Sequence, residues 1–141
     1  MEIKIKLLDG GKLPVKKTDG SACYDCYARL NKSVILWPLQ TKVIPLGFKT
    51  EFDDGYYIEV RGRSGNACKG LWVNTGTVDS DYRGELGSIT LRASIFPKVI
   101  RNGDRIAQIM VKSVIKSNFV ITDNLSNTVR GTGGFGSTGV K

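Results

Sequence analysis

Residues 42–60 read KVIPLGFKTEFDDGYYIEV, which is two segments of β-type composition separated by the turn signal DDG. Lys42–Thr50 and Tyr56–Val60 contain the β-branched and aromatic residues that are enriched in strands. The turn signal at 53–55 ends in a glycine, which suits a turn with positive φ. We therefore expect short strands joined by a turn.

The same succession of short apolar segments and turn signals continues along the chain. Strands are predicted over Glu2–Leu8, Leu86–Ala93 and Ile106–Ile115, with further turns at DGG (9–11) and NGD (102–104). No window carries a helical apolar stripe longer than about three turns. The pattern predicts an all-β sandwich or barrel.

One short helix is expected at Ser64–Lys69, where Ser64 could cap the first turn. Apolar residues become sparse from about Asn124. We therefore expect a β domain over residues 1–123 and a mobile Gly-rich C-terminal arm over residues 124–141. A long arm of this kind often acts on another subunit.

Composition limits the classes of function. The 141 residues, 40% of them hydrophobic, fit one soluble globular domain. No apolar run approaches the roughly 20 residues that cross a bilayer, and the start, MEIKIKLLDGG, lacks the apolar segment of a signal peptide. We expect no membrane contact and a cytoplasmic protein, with the nucleus also open for a eukaryotic or viral source.

The net charge of +8 favours a polyanionic partner. Basic residues are spread along the chain and the aromatic residues form no stacking series, so a small, highly charged anion is favoured over a nucleic acid. No histidine occurs in the chain. Acid–base chemistry near neutral pH therefore needs a carboxylate, a tyrosine, a lysine or metal-bound water.

The chain has three cysteines, Cys23, Cys26 and Cys68. An odd number without a secretion signal favours reduced thiols over a disulfide framework. Cys23 and Cys26 form a CxxC, but the chain has no histidine or second close pair to complete a zinc site. We expect the thiols to be structural.

Two polar clusters lie in the first half of the chain. Asp25 is the lone acid in the apolar run SACYDCYA, and it could also be a solvated or turn-capping side chain. Arg63, Ser64 and Gly65 end one predicted strand and begin the short helix, so a guanidinium, a hydroxyl and backbone amides could bind phosphate together. The alternative is that Ser64 only caps the helix.

Two more clusters follow. Val73 and Val78 flank NTGT, a predicted hairpin whose backbone groups could read the edge of a small ring, and Asp79 and Tyr82 come directly after it. A charged turn is the alternative. In NGDRIAQIMV, Gln108 is polar among apolar neighbours, and it needs hydrogen-bond partners from the fold or from a ligand.

The last twelve residues read RGTGGFGSTGVK. Glycines let a backbone approach an anion closely, Arg130 offers a forked cation, and Ser137 and Thr138 offer hydroxyls. Phe135 has no local apolar partner and could stack on a nucleobase. A frayed terminus is the alternative.

Together these clusters resemble the five ordered motifs of the trimeric dUTP pyrophosphatases, the dUTPases. The matching segments, in the family's order, are SACYDCYA, GRSGNACKGL, NTGTVDSDYRGEL, NGDRIAQ and RGTGGFGSTG. The resemblance implies a distorted jelly-roll β-barrel and a homotrimer whose sites are shared between subunits. It also implies hydrolysis of dUTP to dUMP and pyrophosphate with Mg²⁺, which limits uracil incorporation into DNA and supplies dUMP for dTMP synthesis.

The resemblance implies roles for residues of this chain. Asp79 matches the acid that activates the attacking water, Tyr82 the ring that packs on deoxyribose and excludes a 2′-hydroxyl, and Asp25 the acid that holds metal-bound water. The other matches are expected to bind substrate: Arg63, Ser64, Gly65 and Gln108 at the phosphates, Asn74, Gly76, Thr77 and Val78 at uracil, and Arg130, Phe135, Gly136, Ser137 and Thr138 from the arm.

Three features depart from the family pattern. Gly62 replaces the proline that usually precedes the second motif's arginine, and Cys23 and Cys26 replace the glycine and leucine that flank the first motif's Tyr-Asp pair. Asn74 lies five residues before Asp79, whereas the family's uracil-reading asparagine lies six before its acid. We therefore expect main-chain groups of the NTGT segment to read uracil.

Other functions remain open at this point. The dCTP deaminases share the implied fold, but they use a catalytic glutamate in the third motif and a different tail, whereas Glu85 lies after the DYRG turn here. A nucleotide-dependent regulator that binds a protein partner, with the ordering of its arm as the switch, would have the same motifs. A basic nucleic-acid-binding barrel would explain the charge but not the ordered motifs.

Overall fold

A computed structural model describes residues 1–134, and over that range the chain forms eleven strands and one short helix. The strands in chain order are β1 (Lys4–Leu7), β2 (Tyr24–Tyr27), β3 (Val34–Leu36), β4 (Thr41–Pro45), β5 (Phe48–Glu51), β6 (Tyr56–Arg61), β7 (Leu71–Val73), β8 (Gly76–Val78), β9 (Gly87–Arg92), β10 (Lys98–Ile100) and β11 (Arg105–Ser113). The helix, α1 (Ser64–Ala67), lies between β6 and β7. The predicted all-β class is confirmed.

The strands pair antiparallel in four sheets. The largest has the order β2-β11-β6-β8, and a second has the order β4-β9-β7. Two strand pairs, β1-β5 and β10-β3, complete the set. Because the neighbours in these sheets are far apart in sequence, the topology brings distant motifs side by side.

The inward faces of these sheets enclose one apolar core. Its largest fully buried members are aliphatic and aromatic: Leu36, Ile44, Leu46, Phe48, Ile58, Leu86, Ile100 and Ile106. In β6 the alternation is regular, since Ile58 and Val60 are buried between partly exposed neighbours. In β9 it is inverted, because Ser88 and Thr90 are buried and bond to each other at 2.9 Å while Ile89 is exposed.

The segment predicted as one strand over Lys42–Thr50 is two strands. The chain turns at Leu46 and Gly47, where Gly47 has φ +81°. A Cβ on the neighbouring Gly11 would lie 1.9 Å from the Gly47 carbonyl oxygen, so the two backbones are in close contact. Alternating apolar residues on both sides hide this turn from a pattern-based prediction.

Two local predictions were wrong. The expected positive φ at the DDG turn does not occur, because Gly55 lies outside the left-handed region that Gly10 and Gly103 adopt at the other two turns. Ser64 does not cap α1 either. The N-cap is Arg63, and no side chain caps the helix.

The predicted hairpin around NTGT is also wrong. The strands on its two sides join different sheets, since β7 pairs with β9 and β8 pairs with β6. Asn74 donates its backbone N–H to the Ile89 carbonyl at 2.9 Å, which keeps it at the end of the β9 side. The segment is therefore a crossover between two sheets, and its backbone is free of hairpin pairing.

After β11 the chain leaves the core. Residues 113–132 are exposed throughout, and Phe119 and Ile121 have almost no cover within the chain. The predicted domain boundary between residues 123 and 124 stays a prediction. No helix among residues 1–134 is long and apolar enough to span a membrane.

Candidate active site

The four-stranded sheet places three of the motifs side by side. Asp25 in β2 is directly opposite Gln108 in β11, and Gln108 is opposite Arg61 in β6. Arg61 is followed within three residues by the start of α1. The register therefore brings the first, second and fourth motifs to one edge of the fold.

A cavity of about 530 Å³ opens at this edge, and we call it the Arg63 cavity. It is lined by Lys17, Ser21, Ala22, Cys23, Asp25, Arg63, Ser64, Gly65, Arg105 and Gln108. Five of the residues expected at the phosphates or the metal, namely Asp25, Arg63, Ser64, Gly65 and Gln108, are in this set. The structure brings these five together, and their roles stay predictions.

The carboxylate of Asp25 lies between two guanidinium groups. Arg63 donates its Nε to Oδ1 at 2.8 Å, and Arg105 donates its Nη1 to Oδ2 at 3.0 Å. The Asp25 side chain is only 11% exposed, whereas the two arginines are 24% and 43% exposed. One buried acid therefore holds two cations together in the wall of the cavity.

The fold supplies one partner for Gln108. Its Nε2 donates to the Gly62 carbonyl at 2.7 Å, which fixes the side-chain amide next to Arg63. Gly62 stands where the family usually has proline, and a Cβ there would lie in ordinary contact with Val73 at 3.6 Å. The bond from Gln108 therefore uses a main-chain carbonyl, and the space at position 62 would also admit a small side chain.

Asp79 and Tyr82 lie in a second cavity of about 310 Å³, which we call the Asp79 cavity. It is lined by Val43, Val60, Gly76, Thr77, Val78, Asp79, Tyr82, Glu85, Leu86, Gly87 and Ile89. Of the residues expected at uracil, Gly76, Thr77 and Val78 line it, whereas Asn74 does not. The two cavities share no lining residue.

A short turn carries Asp79 and Tyr82. The Tyr82 N–H bonds to the Asp79 carbonyl at 3.2 Å, and Arg83 donates to the Ser80 carbonyl at 2.6 Å. The Tyr82 hydroxyl donates to the Glu85 carbonyl at 3.2 Å. Tyr82 is 46% exposed, so its ring is available to a ligand.

Glu85 is engaged by two residues that do not line this cavity, Arg29 and Gly47. Its carboxylate accepts from Arg29 Nε at 2.8 Å, Arg29 Nη2 at 2.6 Å and the Gly47 N–H at 2.8 Å. The Arg29 hydrogen bonds hold the pKa of Glu85 below its ordinary value, and the Gly47 N–H acts in the same direction. Glu85 is thus an ionised carboxylate that already accepts three hydrogen bonds.

The arm residues fall at the end of the described range. Arg130 is exposed and donates its Nε to the Gly133 carbonyl at 2.8 Å, and no hydrogen bond among the described residues joins it to either cavity. Phe135, Gly136, Ser137 and Thr138 lie outside the described residues. Their roles stay predictions.

Sequence reasoning missed two cations of the Arg63 cavity, Lys17 and Arg105. Arg105 stands inside the segment NGDRIAQ, three residues before Gln108, so the motif itself could have indicated it. Lys17 is in a polar loop before β2 and carries no local signal. Only the fold brings it to the cavity.

The cysteines differ in their surroundings. Cys26 is fully buried, and this burial raises the pKa of its thiol. Cys23 is half-buried and lines the Arg63 cavity, whereas Cys68 is exposed. The substitutions in the first motif therefore place one sulfur in the core and one in the candidate site.

Comparison with known proteins agrees with this arrangement of motifs. The dUTPase family model matches residues 9–139, which is nearly the whole chain. The chain belongs to the dUTPase family. Among its relatives, the deoxyuridine 5'-triphosphate nucleotidohydrolase of Treponema denticola is 48% identical over 143 aligned positions, with 99% of each chain covered. That of Chlamydia pneumoniae is 41% identical with the same coverage.

Solved dUTPase structures have the same fold. The Staphylococcus bacteriophage 80alpha dUTPase with dUPNHPP superposes with a TM-score of 0.90 at 24% identity, covering 99% of both chains. A mutant dUTPase from phage phi11 of S. aureus, described with a structural Mg(II) ion, has a TM-score of 0.82 at 20% identity and covers 90% of this chain and 100% of its own. The expected dUTPase-like fold is confirmed.

Proposed function

We propose that this member of the dUTPase family hydrolyses dUTP to dUMP and pyrophosphate. The observation that carries the proposal is the Arg63 cavity, where Lys17, Arg63 and Arg105 surround a space that also contains Asp25. Three cations in one cavity suit a triphosphate, because phosphate oxygens accept strong charge-assisted hydrogen bonds from guanidinium and ammonium groups. The relatives' names indicate the same substrate.

The Asp79 cavity suits the nucleoside and the attacking water. Tyr82 offers a ring face to deoxyribose, and the backbone of 76–78 offers amides and carbonyls to uracil. Two carboxylates line this cavity, those of Asp79 and Glu85. The Glu85 carboxylate already accepts three hydrogen bonds. Asp79 is therefore the general base in this proposal, because the chain has no histidine to take that role.

The reaction is a displacement at the α-phosphorus. Asp79 accepts a proton from water while the oxygen of that water forms the new bond to phosphorus. The bond from phosphorus to the bridging oxygen breaks, and pyrophosphate leaves. The Arg63-cavity cations balance the charge on the leaving group. Positioning and charge neutralisation supply most of the rate enhancement in phosphoryl transfer.

Mg²⁺ is the cofactor in this proposal, and it would neutralise charge on the triphosphate. Among residues 1–134 no three Cys, Asp or Glu side chains converge as a cation site. Mg²⁺ is commonly bound through one or two carboxylates, waters and substrate phosphates, and Asp25 is the carboxylate that lines the Arg63 cavity. Asp25 would hold such an ion only through water, because its two oxygens already accept from Arg63 and Arg105.

We further propose a homotrimer with sites formed between subunits. Val43 and Ile89 are directly opposite in β4 and β9 and expose 67% and 40% of their surfaces. Both line the Asp79 cavity, so a second subunit packed there would cover apolar surface and complete that site. Phe119 and Ile121, which come just before the arm, are exposed and offer apolar contacts for a neighbouring chain.

In a cell this activity would remove dUTP from the pool that polymerases use, and it would provide dUMP for dTMP synthesis. The test is to incubate the protein with Mg²⁺ and dUTP, dCTP, dTTP or UTP and to measure pyrophosphate and ammonia. Pyrophosphate from dUTP alone is expected. Ammonia from dCTP, or no turnover of dUTP, would contradict the proposal.

A further inference from the structure

The Tyr82 ring lies against its own loop. Its hydroxyl donates to the Glu85 carbonyl at 3.2 Å. A Cβ added to Gly84 would lie 2.1 Å from the Tyr82 hydroxyl oxygen and 2.3 Å from Cζ. The ring thus occupies the space that any side chain at position 84 would need, and residues 84 and 85 determine where it lies.

Residue 85 is fixed in turn by contacts outside the loop. Its carboxylate takes both forks of Arg29 and the N–H of Gly47. The two side chains of the ion pair are only 27% and 23% exposed. An arginine that binds both carboxylate oxygens fixes orientation as well as distance.

The Arg29 end of the ion pair is anchored to the sheet by a backbone hydrogen bond. Arg29 donates its backbone N–H to the Pro45 carbonyl at 2.8 Å, which ties it to β4. Next to Glu85, Leu86 exchanges backbone hydrogen bonds with Leu46 and Phe48 at 2.9 and 3.0 Å. The Arg29–Glu85 pair therefore links the Tyr82 loop to the turn between β4 and β5.

We propose that the Arg29–Glu85 ion pair is a positioning element that holds Tyr82 in place and so sets the preference for deoxyribose over ribose. This inference rests on the proposed dUTP hydrolysis and on Tyr82 as the residue that packs on the sugar. A ring can exclude a 2′-hydroxyl only if it cannot retreat, and a displacement of about 1 Å is enough to alter such selection. Neither Arg29 nor the Glu85 carboxylate needs to touch the nucleotide.

The experiment compares Arg29→Gln and Glu85→Gln with the wild type, using kcat/KM for dUTP and for UTP. We expect the ratio of the two values to fall roughly tenfold in both variants. In Arg29→Gln, whose side chain does not line the Asp79 cavity, the fall should come mainly from a gain of UTP turnover while dUTP turnover changes little. Lys116→Gln is the matched control, because the Lys116–Asp54 pair is an exposed ion pair with side chains 75% and 79% exposed. Its ratio should equal that of the wild type.

A second set of variants separates positioning from general destabilisation. Gly84→Ala leaves the ion pair intact but displaces the ring, so it should lower the ratio as Arg29→Gln does. After Tyr82→Ala, adding Arg29→Gln should lower the ratio no further, because the two residues act through one ring. If Arg29→Gln lowered the ratio by the same factor in the Tyr82→Ala protein as in the wild type, the inference would be overturned.

The outcomes also separate this inference from the proposed function. A wild type that hydrolyses dUTP and rejects UTP, with an unchanged ratio in folded Arg29→Gln and Gly84→Ala proteins, would overturn only the role of the ion pair. A wild type that turns over neither nucleotide would contradict the proposed function. In that case, calorimetric binding of dUMP and UMP measures the same preference, and an unchanged preference in Arg29→Gln overturns the inference.

Discussion

Asp25 and Arg63 are 38 residues apart in the chain, and the Nε of Arg63 donates to Oδ1 of Asp25 at 2.8 Å. The same carboxylate accepts from Arg105 through its second oxygen. This relationship makes Asp25 the residue that keeps two neighbouring cations together. Asp25 therefore also offsets part of the positive charge of the Arg63 cavity when no nucleotide is bound.

Asp25→Asn should lower both stability and activity. The amide keeps the shape of the side chain but leaves two close guanidinium groups without a counter-charge, so the free energy of unfolding should fall by about 1–3 kcal/mol. The loss of activity should appear in both KM and kcat for dUTP, because the cations that meet the phosphates lose their orientation. Urea unfolding and steady-state kinetics measure these effects. Asp54→Asn, which breaks an exposed pair with Lys116, is the control and should leave both quantities nearly unchanged.

Asp79→Asn should separate binding from turnover. The amide cannot accept the proton of the attacking water, so kcat should fall by a factor of roughly 10²–10⁴. The affinity for a non-hydrolysable dUTP analogue, measured by calorimetry, should stay close to that of the wild type. A variant with near-normal kcat would remove Asp79 from the role of base.

Deletion of residues 130–141 should strongly reduce turnover while the β fold and the oligomeric mass stay the same. These residues carry no core contact among those described, and Arg130 bonds only within its own segment. Circular dichroism, light scattering and kcat measure the three expectations. Full activity in the truncated protein would contradict a role of the arm in binding the substrate.

Complementation tests whether sites are shared. Co-expression of the arm-deleted chain with Asp79→Asn should give mixed trimers that are more active than either variant alone, because some sites would combine an intact arm with an intact Asp79. If each chain used only its own arm and its own acid, no mixed trimer would contain a complete site. Activity no higher than the two separate variants would therefore argue against sharing.

The Glu85–Arg29 pair should make stability depend on pH in a defined direction. Since Arg29 holds the pKa of Glu85 below its ordinary value of 4.5 in the folded state, the contribution is complete above that value and is lost as pH falls through the folded-state pKa. The difference in unfolding free energy between wild type and Glu85→Gln should therefore be larger at neutral pH than at about pH 3. Other ionised pairs, such as Lys4–Glu51, are common to both proteins and cancel in this difference. A difference that is constant with pH would contradict the assignment.

Asn74→Ala should keep the preference for uracil over cytosine. Asn74 is exposed, lies outside the Asp79 cavity and is held by its backbone N–H, which alanine retains. The ratio of kcat/KM for dUTP over dCTP is the measurement. A large loss of this ratio would show that the asparagine side chain reads the base.

Short-range patterns predicted much of the fold. Ile3 and Ile5 alternate with charged residues and lie in or beside β1, and Gly10 and Gly103 adopt the positive φ that their turns require. Strands of three residues, such as β8 and β10, were not predicted, because three residues are too few to show a period of two. The turn at Gly47 was missed for a related reason, since apolar residues continue through it.

The order of the motifs in the chain was enough to predict the family and the residue types of the site, because those depend on local chemistry. Which residues meet was decided by tertiary structure. Strand register set Asp25 opposite Gln108, the fold brought Lys17 to the same cavity, and Arg29 reached Glu85 across 56 residues. Such contacts arise from the packing of sheets whose neighbouring strands are distant in sequence, and no local pattern encodes them.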